Sequence, residues 1–303
     1  MKKLIAFLMI LTVLTICATA APAEGMMLAA PNGAPAIAVS TIAEEHPEQF
    51  SFVEADTIAA EFANATADFI IAPINAGAKL FKAGKSTYQL AAVITWGNLV
   101  FASQKENFKI EDIEGSVLTL FGENTINASV ALYILEKKGI HPASVEYLAG
   151  ASHTQQLLLS EPDAIVMTAE PAATAAMLKN EAIKTISLND EMQIIAGVEG
   201  YTQAGLFVKA ETAEKDPEGV KAYLNAVQEA SGLIESELEK VVNATVSLQI
   251  LPNAKIATQA IPKCGIHYVP ATEAKEQVEL TANIDLTQFG GSIPADEFYY
   301  AIP

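Results

Sequence analysis

The sequence predicts an α/β fold in two lobes, each a mostly parallel sheet flanked by helices, with two crossings between them. Three observations lead there. Short apolar runs alternate with amphipathic stretches from Met26 onward. Those runs are nearly continuous in apolar residues, as strands covered on both faces require. The alternation also restarts after the charged connector Glu111-Asp112-Ile113-Glu114-Gly115, which marks a second unit.

The elements follow in order. MMLAA (26–30) reads as a strand turned by Pro31-Asn32-Gly33, and Pro35 suits the first turn of the next helix. FSFVEA is a strand, Asp56 or Thr57 caps a helix, DFIIAP (68–73) is a third strand, and a helix starts near Asn75. YQLAAVI (88–94) closes the first unit. SVLTLFG (116–122) opens the second, and its helix from Thr125 to Lys138 should stop at Gly139, where a left-handed residue is needed. VEYLA, a helix over 152–160, DAIVMT (163–168), a helix over 170–179 and KTISL (184–188) complete that unit. QAGLFVKA (203–210) is the returning strand, and Asp216-Pro217 begins a long helix. Crossings are expected near Asn107–Gly115 and Val198–Gln203. The expected division is therefore residues 1–20 as a leader, 25–112 with 203–303 as the first lobe, and 113–202 as the second.

The leader is read from Lys2 and Lys3, the apolar run Leu4–Ile16, and the small residues Ala18-Thr19-Ala20, the order of a secretory signal peptide. Cleavage near Ala20 is favoured. Leu14-Thr15-Ile16-Cys17 resembles a bacterial lipobox, which makes Cys17 a candidate for lipidation, although the bulky Ile16 departs from the small residue usual there. Without Cys17, Cys264 is the only cysteine and no internal disulfide can form.

Composition limits the function classes. The 303 residues are 51% hydrophobic and 18% charged, which supports a sizeable core. All 18 basic residues are lysine, and the formal charge is −18. Nucleic acid is excluded as a partner, because its phosphates need a cationic face. The absence of arginine also removes the bidentate fork that commonly grips oxyanions.

Candidate binding residues lie at strand-to-helix junctions, where open α/β sheets hold ligands. These are Asn32 and Gly33, Pro73 and Asn75, then Glu123, Asn124 and Thr125, and finally Glu170. Capping alone would also explain such residues. Trp96, the only tryptophan, with Gly97 and Asn98, ends a strand, and Tyr201 lies at the return crossing, where a ring could close over a ligand. Glu123 and Glu170 could accept hydrogen bonds from an amine.

Enzyme signatures are missing. His46, His141, His153 and His267 show no metal-ligand spacing, and no nucleophile elbow, Walker loop or dinucleotide fingerprint occurs. His153 with Glu170 is the one acid–base pairing to consider. The expectation is a protein without cofactor, metal or catalytic residues.

The segments ADFIIAPINAGAKLFKAG (67–84), YQLAAVITWGNLVF (88–101), IEDIEGSVLTLFGENT (110–125), LYILEKKGI (132–140), DAIVMTAEPAAT (163–174), IPKCGIHYV (261–269) and GGSIPADEFYY (290–300) carry a resemblance. The chain resembles the substrate-binding proteins of bacterial ABC transporters with the type II periplasmic fold, in the NMT1/THI5-like, SsuA-like family. That resemblance implies an exported, monomeric, non-enzymatic protein that delivers a small molecule to an ABC permease and ATPase. It implies ligand contacts from Asn32-Gly33, Pro73-Ile74-Asn75, Trp96-Gly97-Asn98, Gly122–Thr125 and Glu170-Pro171. The family includes binders of sulfonates, nitrate and pyrimidine precursors of thiamine. The cysteine cluster of its fungal precursor-forming enzymes is absent here. With no arginine, an amine-bearing or heteroaromatic ligand is expected, with a nitrate-, sulfonate- or taurine-type anion as the alternative, and an enzyme or a ligand-sensing module on the same fold behind both.

Overall fold

In the first part of the chain, β1 (Leu28–Pro31) leads through α1 (Ala34–Ala38) and α2 (Ser40–Glu45) to β2 (Phe50–Val53). The short α3 (Glu61–Asn64) precedes β3 (Phe69–Pro73), and α4 (Ile74–Lys82) precedes β4 (Tyr88–Thr95). The structure is a computed structural model that describes residues 25–302 except 56 and 199. The leader, the cleavage region at Ala20, Cys17 and the cap expected of Asp56 lie outside the described residues.

The chain then builds a second sheet from β5 (Leu99–Ser103), β6 (Val117–Phe121), α5 (Ile126–Lys138), β7 (Ser144–Leu148), α6 (Ala151–Ser160), β8 (Ile165–Ala169), α7 (Ala172–Met177), β9 (Lys184–Ser187) and α8 (Leu188–Ala196). It returns with β10 (Ala204–Lys209), α9 (Ala210–Lys215), α10 (Pro217–Ser236), α11 (Leu238–Ser247), α12 (Ala254–Ala260), β11 (Ile266–Pro270) and α13 (Lys275–Ile284).

Local chemistry sets several of these boundaries. Gly139 ends α5 in the left-handed conformation. The Asp216 side chain accepts from the Gly219 N–H, with Pro217 in the first turn, so α10 starts there. Ser187 caps α8 and Asn253 caps α12 in the same way.

The first sheet has the order β11-β4-β10-β3-β1-β2, and the second β7-β6-β8-β5-β9. Strand directions refine the mostly parallel expectation into a mixed one. β1, β2 and β3 are parallel, whereas β10 runs antiparallel to both β3 and β4, and β11 antiparallel to β4. In the second sheet, β6 is parallel to β7 and β8, whereas β5 is antiparallel to β8 and β9. A strand that has just crossed from the other lobe enters from the shared edge, so it runs against its neighbours.

β5 also corrects the first lobe boundary. Leu99–Ser103 falls in the first lobe of the expected division, yet it pairs with β8 and β9 in the second sheet. The outward crossing is therefore the three residues Trp96-Gly97-Asn98, not Asn107–Gly115. The return passes from Gly197 to Gln203. Segment 107–115 is instead a turn within the second lobe, where Asp112 accepts from the Lys109 backbone N–H.

Period-2 alternation places side chains on both faces of each sheet. Ile70, Leu90 and Phe207 join one apolar cluster, and Ile71, Ala91, Leu206 and Val208 join another on the opposite face. The first cluster continues through Trp96 and Tyr201 to Leu99, Leu118 and Met167, so the two lobes share apolar packing beneath the crossings. Among the described residues, no helix is long and apolar enough to cross a membrane.

Candidate functional site

The carboxyl ends of β1 and β3 and the start of β10 define one edge of the first sheet. The carboxyl ends of β6, β7 and β8 and the start of β5 define the corresponding edge of the second. Every candidate binding residue lies on one of these edges or on a crossing.

On the first edge, Asn32 is exposed and its backbone N–H donates to Val53 O at 3.0 Å, so its side chain is not needed to hold the loop. Gly33 precedes α1 at φ 99° with open space where a side chain would lie. Pro73 leads into α4, and Asn75, the second residue of that helix, has a buried Oδ1 without a hydrogen-bond partner.

On the second edge, Glu123 and Asn124 are exposed, with Asn124 at φ 56°. Thr125 precedes α5 but does not cap it. Its hydroxyl donates backward to Gly122 O at 2.6 Å.

Glu170 is the most constrained member. It is 4% exposed, at the end of β8, and joined to Pro171 by a cis peptide bond. Asn98 brackets its backbone: Glu170 N–H donates to Asn98 O at 2.8 Å, and Asn98 Nδ2 donates to Glu170 O at 2.7 Å. The carboxylate Oε2 accepts from the Thr174 backbone N–H at 3.0 Å. Burial pushes the carboxyl above the usual range, and the Thr174 hydrogen bonds and the charge of Lys263 pull it part of the way back.

The crossings are packed tightly. A Cβ on Gly200 would meet Trp96 O at 2.4 Å, and one on Gly265 would meet Gly97 O at 2.3 Å. Trp96 itself is 7% exposed, stacks on His267 with ring centroids 4.8 Å apart, and donates its indole N–H to His267 O at 3.1 Å. Its backbone N–H donates to Gly265 O. Trp96 is thus held against the first lobe.

Tyr201 departs from the lid role expected of it. It is 1% exposed and lies where a side chain on Gly97 would go. Its hydroxyl approaches the backbone N–H groups of Asn98 and Leu99 without completing a hydrogen bond. Burial pushes its pKa up, so it stays neutral. A ring this enclosed shapes the crossing and cannot close over a ligand in this state.

Sequence reasoning missed two residues here. Lys263 reaches from the first lobe to Thr174 Oγ1 at 3.4 Å in the second. Asn189 donates from Nδ2 to Gly97 O at 3.0 Å, and its buried Oδ1 has no partner; neither has the Oδ1 of Asn98. The signal for Lys263 was present in IPKCG, because in a chain without arginine every lysine near a junction matters.

Other contacts join the lobes. Ser129 Oγ donates to Asp285 Oδ2 at 2.7 Å, and Gln203 Nε2 to Asn127 Oδ1 at 3.2 Å. His153 is exposed on α6, and no hydrogen bond pairs it with Glu170. No group of three or more potential metal ligands occurs among the described residues.

The architecture matches known proteins. An ABC transporter structure from Parabacteroides distasonis aligns with TM-score 0.79 at 20% identity, covering 92% of this chain and 99% of that one. The periplasmic aliphatic sulphonate binding protein SsuA from Escherichia coli aligns with TM-score 0.71 at 13% identity, covering 92% of each chain. The alkanesulfonate-binding protein SsuA from Xanthomonas axonopodis pv. citri, bound to MOPS, aligns with TM-score 0.63 at 12% identity over 90% and 96%. At such identities the likeness establishes the fold, the two-lobed type II periplasmic-binding-protein architecture. No curated protein matches the sequence. The model of the family described as NMT1/THI5 like matches residues 54–235, more than half the chain. With that match covering β3 through most of α10, the chain belongs to the NMT1/THI5-like family.

Proposed function

We propose that this protein is the extracytoplasmic solute-binding component of an ABC importer, holding a small molecule between its lobes and presenting it to a membrane permease and its ATPase. The observation that carries this reading is the convergence of the strand ends of both sheets on one interlobe edge, with two crossings joining them among the described residues. A solute bound to one lobe and then enclosed by the other shifts the population toward a closed state, because the closed form offers it more contacts. The sulphonate-binding neighbours and the family support the role.

The solute is a small polar or heteroaromatic molecule bearing an amine. Glu170 is a buried carboxylate, and Asn75, Asn98 and Asn189 each carry a buried, unpartnered amide oxygen. Acceptors of this kind favour a ligand that supplies N–H groups, since a buried acceptor left unpaired costs on the order of 1–3 kcal/mol. The Asn32, Gly33, Pro73, Glu123, Asn124 and Thr125 loops form the remaining walls. Trp96 and Gly97 anchor the crossing beside them. Lys263 favours the second reading, an oxyanion such as a sulfonate or nitrate, but it would have to act beside Glu170 with no guanidinium to help. Lipid attachment at Cys17 is compatible with either ligand, and the protein works as a monomer without cofactor or turnover.

Mass spectrometry of solute released from protein purified out of its native host tests the assignment. An unchanged, stoichiometric amine supports it. Recovery of a sulfonate or nitrate would favour the second reading, and a chemically altered product would point to an enzyme.

A further inference from the structure

We propose that Ser129 and Asp285 form an interlobe latch, a hydroxyl that changes acceptors as the lobes meet and so holds the ligand-free protein shut for part of the time. This rests on the reading of the cleft as one that opens and closes. The two residues come from opposite lobes. Ser129 lies near the start of α5, the helix that follows the Gly122–Thr125 loop, and Asp285 ends α13. Ser129 Oγ stands 2.7 Å from Asp285 Oδ2 and 3.2 Å from Thr125 O in its own helix. The hydroxyl has one hydrogen, so it serves only one of these acceptors at a time. The contact to the carboxylate is the shorter and has the length of a charge-assisted bond.

Each partner is prepared for both arrangements. Asp285 Oδ1 accepts from the Thr287 backbone N–H at 3.1 Å and from the Thr287 hydroxyl at 2.5 Å. The first lobe alone therefore orients the carboxylate and leaves Oδ2 for Ser129. When the lobes part, the Ser129 hydrogen falls back to Thr125 O, the usual bond of a helical serine to the carbonyl four residues earlier, and water solvates Oδ2. No donor is stranded in either state, and only the shut state gains the charge-assisted bond. Gln203 Nε2, at the return crossing, donates to Asn127 Oδ1 on the same helix start, so α5 is gripped at two neighbouring points. That grip lies beside the 122–125 loop, where an entering solute would add to it.

Interlobe distances in the ligand-free protein test this. Spin labels at the exposed positions of Glu218 on the first lobe and Glu146 on the second report short and long separations, in a Cys17→Ser background where the buried Cys264 stays unlabelled. The parent should populate the short separation, and Ser129→Ala should lower the ratio of short to long roughly tenfold. Ser129→Thr, which keeps the hydroxyl, should stay near the parent. Ser160→Ala removes a serine bond to a backbone carbonyl at the end of α6, where no interlobe partner is involved, and should change nothing. In an Asp285→Asn background, Ser129→Ala should shift the ratio far less than tenfold, because the carboxylate is already gone. A parent wholly at the long separation, an unchanged ratio in Ser129→Ala, loss of the short population in Ser129→Thr, or a full tenfold loss in the Asp285→Asn background would each overturn the latch. No solute enters these measurements, so their failure leaves the solute-binding reading standing, and a solute of unexpected chemistry leaves the latch standing.

Discussion

Gly265 lies so near Gly97 that a methyl group on it would come within 2.3 Å of the Gly97 carbonyl oxygen. The obstacle is backbone, which cannot rotate aside as a side-chain tip can. Gly265 also has φ +59°, where residues with a Cβ are strained. Gly197 makes an informative contrast, since it has φ +69° but nothing within 4 Å of the place a methyl carbon would take. Gly197→Ala should cost about 1 kcal/mol from the left-handed conformation alone. Gly265→Ala should cost at least about 2–3 kcal/mol. Urea titrations of both variants check this, and equal losses would show that the close approach carries no energetic weight.

Glu170 should make stability depend on pH in a definite direction. Its carboxyl is raised in the folded state by burial. The protein therefore keeps this group's full contribution below the ordinary glutamate range, about pH 4, and loses it as pH rises through the elevated folded value. Glu170→Gln removes the buried charge while keeping an acceptor for Thr174. The variant should melt higher than the parent at pH 7, and the gap should narrow as pH falls toward 4. A constant gap across that range would show that Glu170 does not carry the penalty.

Trp96 should report the joint between the lobes. Its ring is stacked on His267 and almost wholly buried, so its emission should be blue-shifted and poorly quenched by acrylamide. Trp96→Phe removes the hydrogen bond to His267 O and leaves part of the space unfilled, at a cost of about 1–3 kcal/mol in a denaturant titration. Replacing His267 with alanine should change the emission with little effect on the far-UV spectrum. An emission maximum typical of an indole in water would contradict the packing described.

Cys264 should be chemically silent in the folded protein. It is fully buried, its thiol donates to Ala260 O at 3.3 Å, and burial together with the negative charge of Glu170 pushes its pKa up. In a Cys17→Ser background, Ellman's reagent should modify it orders of magnitude more slowly in native buffer than in guanidinium. Fast native labelling would mean that the 261–265 turn opens readily.

Much of this fold was legible in the sequence because its signals are local. The Asp216-Pro217 start of α10 and the Gly139 stop of α5 follow from capping chemistry, and the buried strands announce themselves as apolar runs. The outward crossing was harder to read. YQLAAVITWGNLVF is apolar through both β4 and β5, and nothing within it reveals that Leu99 pairs with Ala169 while Thr95 pairs with Ala204. Strand partnership is a long-range property, so only Gly97 hinted at the break. For the site, the junction residues could be named from strand-to-helix order alone. The burial of Tyr201 depends on its packing against Gly97, and the approach of Lys263 to Thr174 joins residues 89 positions apart, so neither was visible locally.

The division of labour between joint and loops has a practical consequence. Gly97, Gly200 and Gly265 are committed to close packing, whereas Asn32, Glu123 and Asn124 stand exposed on loops with no packing duty for their side chains. Under the proposed solute-binding reading, selectivity can be retailored at the Asn32 and Glu123 loops without disturbing the articulation. A library that varies Asn32 and Glu123, and keeps fixed both those glycines and Asn124, whose φ of 56° favours asparagine or glycine, should yield mostly folded members.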